Sequence, residues 1–136
     1  MYHLEGPLGR PAKLTGKRVL VAEDVAVISM LVEDGLRDAG ATVLGPACSL
    51  GDALRLVEGA AADGGVDAAV IDIDLQGERA TPVADKLAAL GVPFLFATGY
   101  GDGCDTGGHG AAPILRKPYC TGSLIAAVEA LASAGA

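Results

Sequence analysis

Five polar side chains stand where apolar runs of this sequence stop: Glu23, Asp24, Asp72, Thr98 and Lys117. Asp72 is the sharpest case. The run Ala68-Ala69-Val70-Ile71 leads into Asp72-Ile73-Asp74-Leu75, and Gln76-Gly77 follows. Small and β-branched residues bounded by loop signals predict a strand buried on both faces. An ionised carboxylate at the end of such a strand is costly unless something pairs with it. Taken singly, each of the five has an ordinary explanation. A strand-end Asp or Thr is commonly a cap, an acidic pair before a helix offsets its dipole, and a strand-end Lys is usually solvated. The order carries the information: acidic pair, Asp, Thr-Gly, Lys-Pro, each closing a successive apolar strand.

Three carboxylates within contact range repel, and one takes up a proton unless a cation intervenes. Oxygen ligands with no His or Cys nearby select a hard ion, and Mg²⁺ with water completing an octahedron fits best. Asp24 and Asp72 are the expected direct ligands. Glu23 is expected to hold a metal-bound water, and the backbone carbonyl of Asp74 could complete the protein's share. One Asp72 oxygen then stays available as a nucleophile. Its attack on phosphorus gives an acyl phosphate, with the metal neutralising charge on the transferring group. Thr98 can donate its hydroxyl to one phosphoryl oxygen, and Lys117 offers a compact charge to another. Mg²⁺ alone would need neither.

The elements that must position these groups alternate. Residues 17–22 (Lys-Arg-Val-Leu-Val-Ala) read as a first buried strand. Ile28, Leu31, Val32, Gly35, Leu36 and Ala39 then recur at helical spacing, and Gly40 supplies the stop. A second strand is expected over 42–47. Ser49 with Asp52 looks like an N-cap pair ahead of a helix whose stripe is Leu50, Ala53, Leu54 and Val57, with a small-residue loop from 60 to 65. After the strand ending at Asp72, Thr81-Pro82 reads as N-cap and first helical residue, with Val83, Leu87 and Leu90 inward and Gly91 as the stop. Residues 93–97 form a fourth strand, and Ile114-Leu115 the core of a short fifth. The last helix follows Thr121, with Leu124, Ile125, Val128 and Leu131 inward. Between the last two strands, glycines at 101, 103, 107, 108 and 110 make a regular helix marginal or absent, because each costs about 1 kcal/mol relative to alanine. This pattern implies βαβ units and a parallel sheet covered on both faces. Ligands of such sheets bind beyond the strand carboxyl ends, where all five polar residues fall.

A length of 136 residues suits one domain with a single core. No apolar run is long enough to span a bilayer. Residues 1–16 carry no hydrophobic signal-peptide core and read as a flexible N-terminal extension, leaving 17–134 as the domain. A net charge of −7, with no basic cluster beyond Arg116-Lys117, argues against nucleic-acid binding. Cys48, Cys104 and Cys120 are far apart and lack metal-ligand spacing, so they read as reduced cytoplasmic thiols.

On these motifs the chain resembles the receiver domain of two-component response regulators over residues 17–131: Val-Leu-Val-Ala before Glu23-Asp24, the segment 67–75 with Asp72, Thr98, and Lys117-Pro118. More narrowly, Pro93-Phe94-Leu95-Phe96-Ala97-Thr98-Gly99-Tyr100 looks like the P-F-x-F-A-T-G-U-Y (FATGUY) signature of a subgroup, with an imperfect tail because Tyr100 directly follows Gly99. Members of that subgroup are often stand-alone receivers served by HWE or related histidine kinases. The resemblance implies a flavodoxin-like (βα)₅ fold with a central five-stranded parallel sheet. It further implies Mg²⁺-dependent transfer from phosphohistidine, on a sensor histidine kinase or a histidine phosphotransfer protein, to Asp72, and a cis peptide before Pro118. Such a protein is a phosphoacceptor switch rather than an enzyme, with only self-catalysed phosphoryl transfer and autodephosphorylation.

Two departures stand out. Receivers carry an aromatic switch residue three positions before the Lys, and here that position is Ile114; Tyr100 or Tyr119 could substitute. The stretch 101–110 lies where the family's fourth helix forms the output face, and it is expected to be mobile without phosphate and partly ordered with it. Asp74 adds a negative charge two residues after the acceptor, where it could influence phosphoryl lifetime. Output is expected through protein contacts, or by draining phosphate from a kinase. Kinase preference is expected to be read at exposed Ala26, Ser29, Met30 and Glu33 of the first helix. Two other readings compete. One is a receiver excised from a hybrid kinase. The other is an aspartyl phosphatase of the haloacid dehalogenase type, suggested by Asp72-Ile73-Asp74, although that motif should follow the first strand.

Overall fold

The computed structural model describes residues 13–99 and 106–134. Five strands form one parallel sheet in the order β2-β1-β3-β6-β7, where β1 is Arg18–Ala22, β2 Thr42–Ala47, β3 Ala68–Asp72, β6 Phe94–Thr98 and β7 Ile114–Arg116. This is the doubly wound, flavodoxin-like order. Four helices are present among the described residues: α1 (Ala26–Asp38), α2 (Leu50–Ala62), α3 (Thr81–Ala89) and α4 (Thr121–Ala134). The remaining strands, β4 (Asp74–Leu75) and β5 (Glu78–Arg79), make a small antiparallel hairpin.

Strand periodicity divides the core into two layers. Leu20, Ala22, Ala69, Ile71, Phe94 and Phe96 pack with Ala53 and Val57 of α2 and Val83, Ala84 and Leu87 of α3. Val19, Val21, Ala68, Val70, Leu95 and Ala97 pack with Val32 and Leu36 of α1 and Leu124, Ile125 and Val128 of α4. Every residue of β3 and β6 is buried, as expected for central strands covered on both sides. Both neighbours of β1 are parallel to it, so the chain leaves β1 toward β2 on one side and β3 on the other. The switch point therefore lies between β1 and β3, beside Glu23, Asp24 and Asp72.

Several expectations shift. The buried arc of α1 is Ser29, Val32, Gly35 and Leu36, while Leu31 is 65% exposed. Ser29 lies on that buried arc rather than exposed, and its hydroxyl is satisfied there by donating to the Ala26 carbonyl (3.1 Å). Glu33 is half-buried against Arg37 (3.3 Å). Gly35 lies against α4, where an added Cβ would sit 2.6 Å from the Thr121 methyl; close helix approach explains a glycine inside a helix. Leu90 caps α3 and points outward, Leu131 is half-buried, and α3 begins at Thr81 rather than Pro82.

Leu14 departs from the expected loose extension. It is fully buried with Val19 and Leu36, and its N–H donates to the Ala39 carbonyl (2.8 Å). Between β6 and β7, residues 106–113 form turns and no helix, whereas a (βα)₅ chain has a helix there. They lie along α3: an added Cβ at Gly107 would meet the Thr81 methyl at 2.3 Å, and His109 contacts Asp85 (2.6 Å) and the edge of Phe94. Tyr100, one of the two switch candidates, and residues 101–105, the first half of the 101–110 stretch expected to be mobile, fall outside the described residues.

Candidate functional site

Four parallel strands deliver polar groups to one edge of the sheet. β1 runs into Glu23 and Asp24, β3 ends at Asp72, β6 at Thr98, and β7 is followed by Lys117. Pairing β3 with β6 sets Asp72 opposite Ala97, so Thr98 comes one residue further along the neighbouring strand. The Lys117 N–H donates to the Thr98 carbonyl (2.8 Å), and the Lys117–Pro118 peptide is cis.

One carboxylate oxygen each from Glu23, Asp24 and Asp72 lies within 4.8 Å of the other two. The Lys117 ammonium bridges two of these residues, 2.7 Å from Glu23 Oε1 and 2.9 Å from Asp72 Oδ2. Glu23 Oε2 accepts from the Val25 N–H (3.1 Å), and Asp24 Oδ2 accepts from the Gln76 N–H (2.9 Å). Glu23, Asp72 and Thr98 are buried. Burial pushes the Asp72 carboxyl up to about 6; Glu23 adds to the rise while Lys117 opposes it. Burial also pulls Lys117 down, but its bonds to Glu23 and Asp72 outweigh that and hold the ammonium above the usual lysine value.

Three carboxylates against one ammonium leave two formal negative charges in a buried pocket. Hard oxygen donors converging with that excess fit a single divalent cation such as Mg²⁺, with water supplying its other ligands. The sequence-derived site residues are thus brought to one edge, with Asp74 leading out of it on β4. Ile114 lies opposite Phe96 on the edge strand, 43% exposed. Tyr119, the described candidate for the missing aromatic, is half-buried; its hydroxyl is buried without a hydrogen-bond partner among the described residues, and burial pushes its pKa up.

Neither the β4–β5 hairpin nor the contact of the Gln76 amide was expected from the sequence. The hairpin has a signal, because Gln76-Gly77 between two short pairs has the form of a two-residue loop; the amide has none.

No protein-family model and no curated protein matches the chain. Among solved structures, it is similar to a response regulator receiver protein from Sinorhizobium medicae at 26% identity, covering 88% of this chain and 97% of that one with a TM-score of 0.76. It is also similar to SdrG from Sphingomonas melonis, at 39% identity over 88% of this chain and 97% of that one, TM-score 0.72. The chain belongs to the response regulator receiver domains. This receiver is also similar to SdrG in its BeF3-activated conformation, at 38% identity over 82% of this chain and 95% of that one, TM-score 0.66. No helix among the described residues is long and apolar enough to cross a membrane.

Proposed function

We propose that this receiver accepts a phosphoryl group on Asp72 from the phosphohistidine of a sensor histidine kinase or a histidine phosphotransfer protein. The observation that carries the reading is the Lys117 ammonium held between Asp72 and Glu23, with an Asp24 oxygen alongside. Glu23, Asp24, Asp72 and the Asp74 backbone carbonyl would hold Mg²⁺. When bound, the ion offsets charge on the phosphoryl oxygens during transfer.

Asp72 attacks phosphorus through one carboxylate oxygen. The phosphorus–nitrogen bond breaks, its electron pair returns to the imidazole nitrogen, and an acyl phosphate forms on Asp72. Lys117 turns its charge toward a phosphoryl oxygen, and Thr98 donates its hydroxyl to another. Both already sit at this edge, so little reorganisation is required. Hydrolysis of the acyl phosphate by water resets the switch.

The run Pro93-Phe94-Leu95-Phe96-Ala97-Thr98-Gly99-Tyr100 is the basis for reading the chain as a stand-alone receiver of the FATGUY type served by an HWE-type kinase. Its output runs through protein contacts or consists of draining phosphate from the kinase. The free thiols Cys48 and Cys120 fit a cytoplasmic location. The kinase is expected to meet α1, where Val27, Met30 and Leu31 are exposed; buried Ser29 is not expected to contribute.

Labelling with acetyl phosphate and Mg²⁺ tests the core reading. One phosphoryl group per chain, lost in Asp72→Ala, is expected; unchanged labelling of that variant would overturn the assignment. Leu31→Asp is expected to reduce transfer from the cognate kinase by about tenfold, the scale of a buried interface anchor, while leaving acetyl phosphate labelling intact.

A further inference from the structure

We infer that the β4–β5 hairpin is a positioning device for the metal-facing acids, acting through the backbone N–H of Gln76 on Asp24. The inference rests on the reading of Glu23, Asp24 and Asp72 as Mg²⁺ ligands and concerns how one of them is held.

Asp24 needs such a support. Glu23 is fixed by the Val25 N–H and by Lys117, and Asp72 is fixed by Lys117 on a buried strand. Asp24 is only half-buried and lies in the loop between β1 and α1. The Gln76 N–H, 52 residues away in the chain, donates to Asp24 Oδ2 at 2.9 Å. That bond occupies one oxygen and orients the carboxylate. Partners of this kind behind a metal ligand typically alter affinity by about 10–100-fold when removed.

The amide can reach Asp24 because of an uncommon backbone. Gln76 has φ 55° and Gly77 φ 84°, so both turn residues are left-handed, as a tight two-residue hairpin requires. Gln is a rare choice there, since side chains disfavour that region. The surroundings hold the turn in place. Leu75 and Ala80 are buried on either side of it, Ala80 N–H donates to the Ile73 carbonyl (2.8 Å), and Arg79 faces Asp74 across the hairpin at 3.7 Å. So short a hairpin has little stability alone; its geometry is imposed from the core on one side and from Asp24 on the other.

Gly77 allows a clean perturbation. An added Cβ there would meet no atom within 4 Å, so a side chain acts only through the backbone. Mg²⁺ affinity measured by calorimetry is expected to fall about 10–100-fold in Gly77→Val and less in Gly77→Ala. Gln76→Gly keeps the N–H and suits the left-handed turn, so its affinity should stay within about threefold of the parent. Linkage is reciprocal, so saturating Mg²⁺ should also slow hydrogen exchange at the Gln76 amide of the unaltered protein. Folded Gly77→Val with parental affinity, or Mg²⁺-independent exchange at Gln76, would overturn the inference while leaving the metal reading in place. Absence of saturable Mg²⁺ binding by the unaltered protein would overturn both.

Discussion

Asp72 and Lys117 show how one buried charge can be both a liability and a tool. Raising the Asp72 carboxyl from 3.8 to about 6 means that the folded chain binds a proton more readily than the unfolded chain. Stability from this group is therefore full below about pH 4 and declines as pH rises through about 6, by on the order of 2–3 kcal/mol. Asp72→Asn, which carries no charge to desolvate, should flatten that decline in denaturant titrations at pH 5 and pH 8. The proposed Mg²⁺ binding would have the opposite sign. It needs the ionised carboxylate, so its affinity should drop toward tenfold per pH unit below about 6 and level off above it, as calorimetry across that range would show. On the proposed function, Lys117→Ala should impair signalling in a reporter assay more than Mg²⁺ affinity, because the ammonium now held by Glu23 and Asp72 would serve the phosphoryl group after transfer. The five polar positions were legible because each interrupts an apolar run. The Gln76 amide was not, since a backbone N–H leaves no residue-type signature. Ser29 was misread for a related reason: its hydroxyl is satisfied by its own helix, so burial costs it little.

Elements were legible where their periodicity was strong. β3, β6 and the Ser49 cap of α2 lie where the sequence puts them, and the Ser49 side chain accepts from the Asp52 N–H. Buried faces were less legible. On α1 the expected stripe included Leu31, but close approach to α4 at Gly35 turns a different arc inward and leaves Leu31 outside. No spacing rule encodes a partner helix's distance. Glycines at 101–110 disfavour a helix, and the described part of that stretch, 106–110, has none. What composition does not reveal is its seating on α3. Gly107 at Thr81 and His109 at Asp85 are two residues apart and meet positions one helical turn apart. Gly107→Ala would force a Cβ against the Thr81 side chain at a left-handed φ of 60°. A loss of about 1–3 kcal/mol is expected in urea unfolding, with acetyl phosphate labelling of the folded fraction retained.

At the scale of the molecule, fold class followed from alternating apolar runs, since a parallel sheet with both faces covered needs little else to be recognised. The edge of the core was harder to read. Leu14 sits in a stretch rich in proline and glycine, outside any repeating pattern, and only tertiary packing shows that it fills the space beside Val19 and Leu36. Leu14→Ala should cost about 3 kcal/mol by the usual scale for a buried leucine, seen as a lower urea midpoint at unchanged slope. An engineer joining this unit to another protein would naturally cut at the first strand. That cut would discard Leu14 and leave the space beside Val19 and Leu36, between the sheet and α1, open to water, so the seam belongs ahead of Lys13.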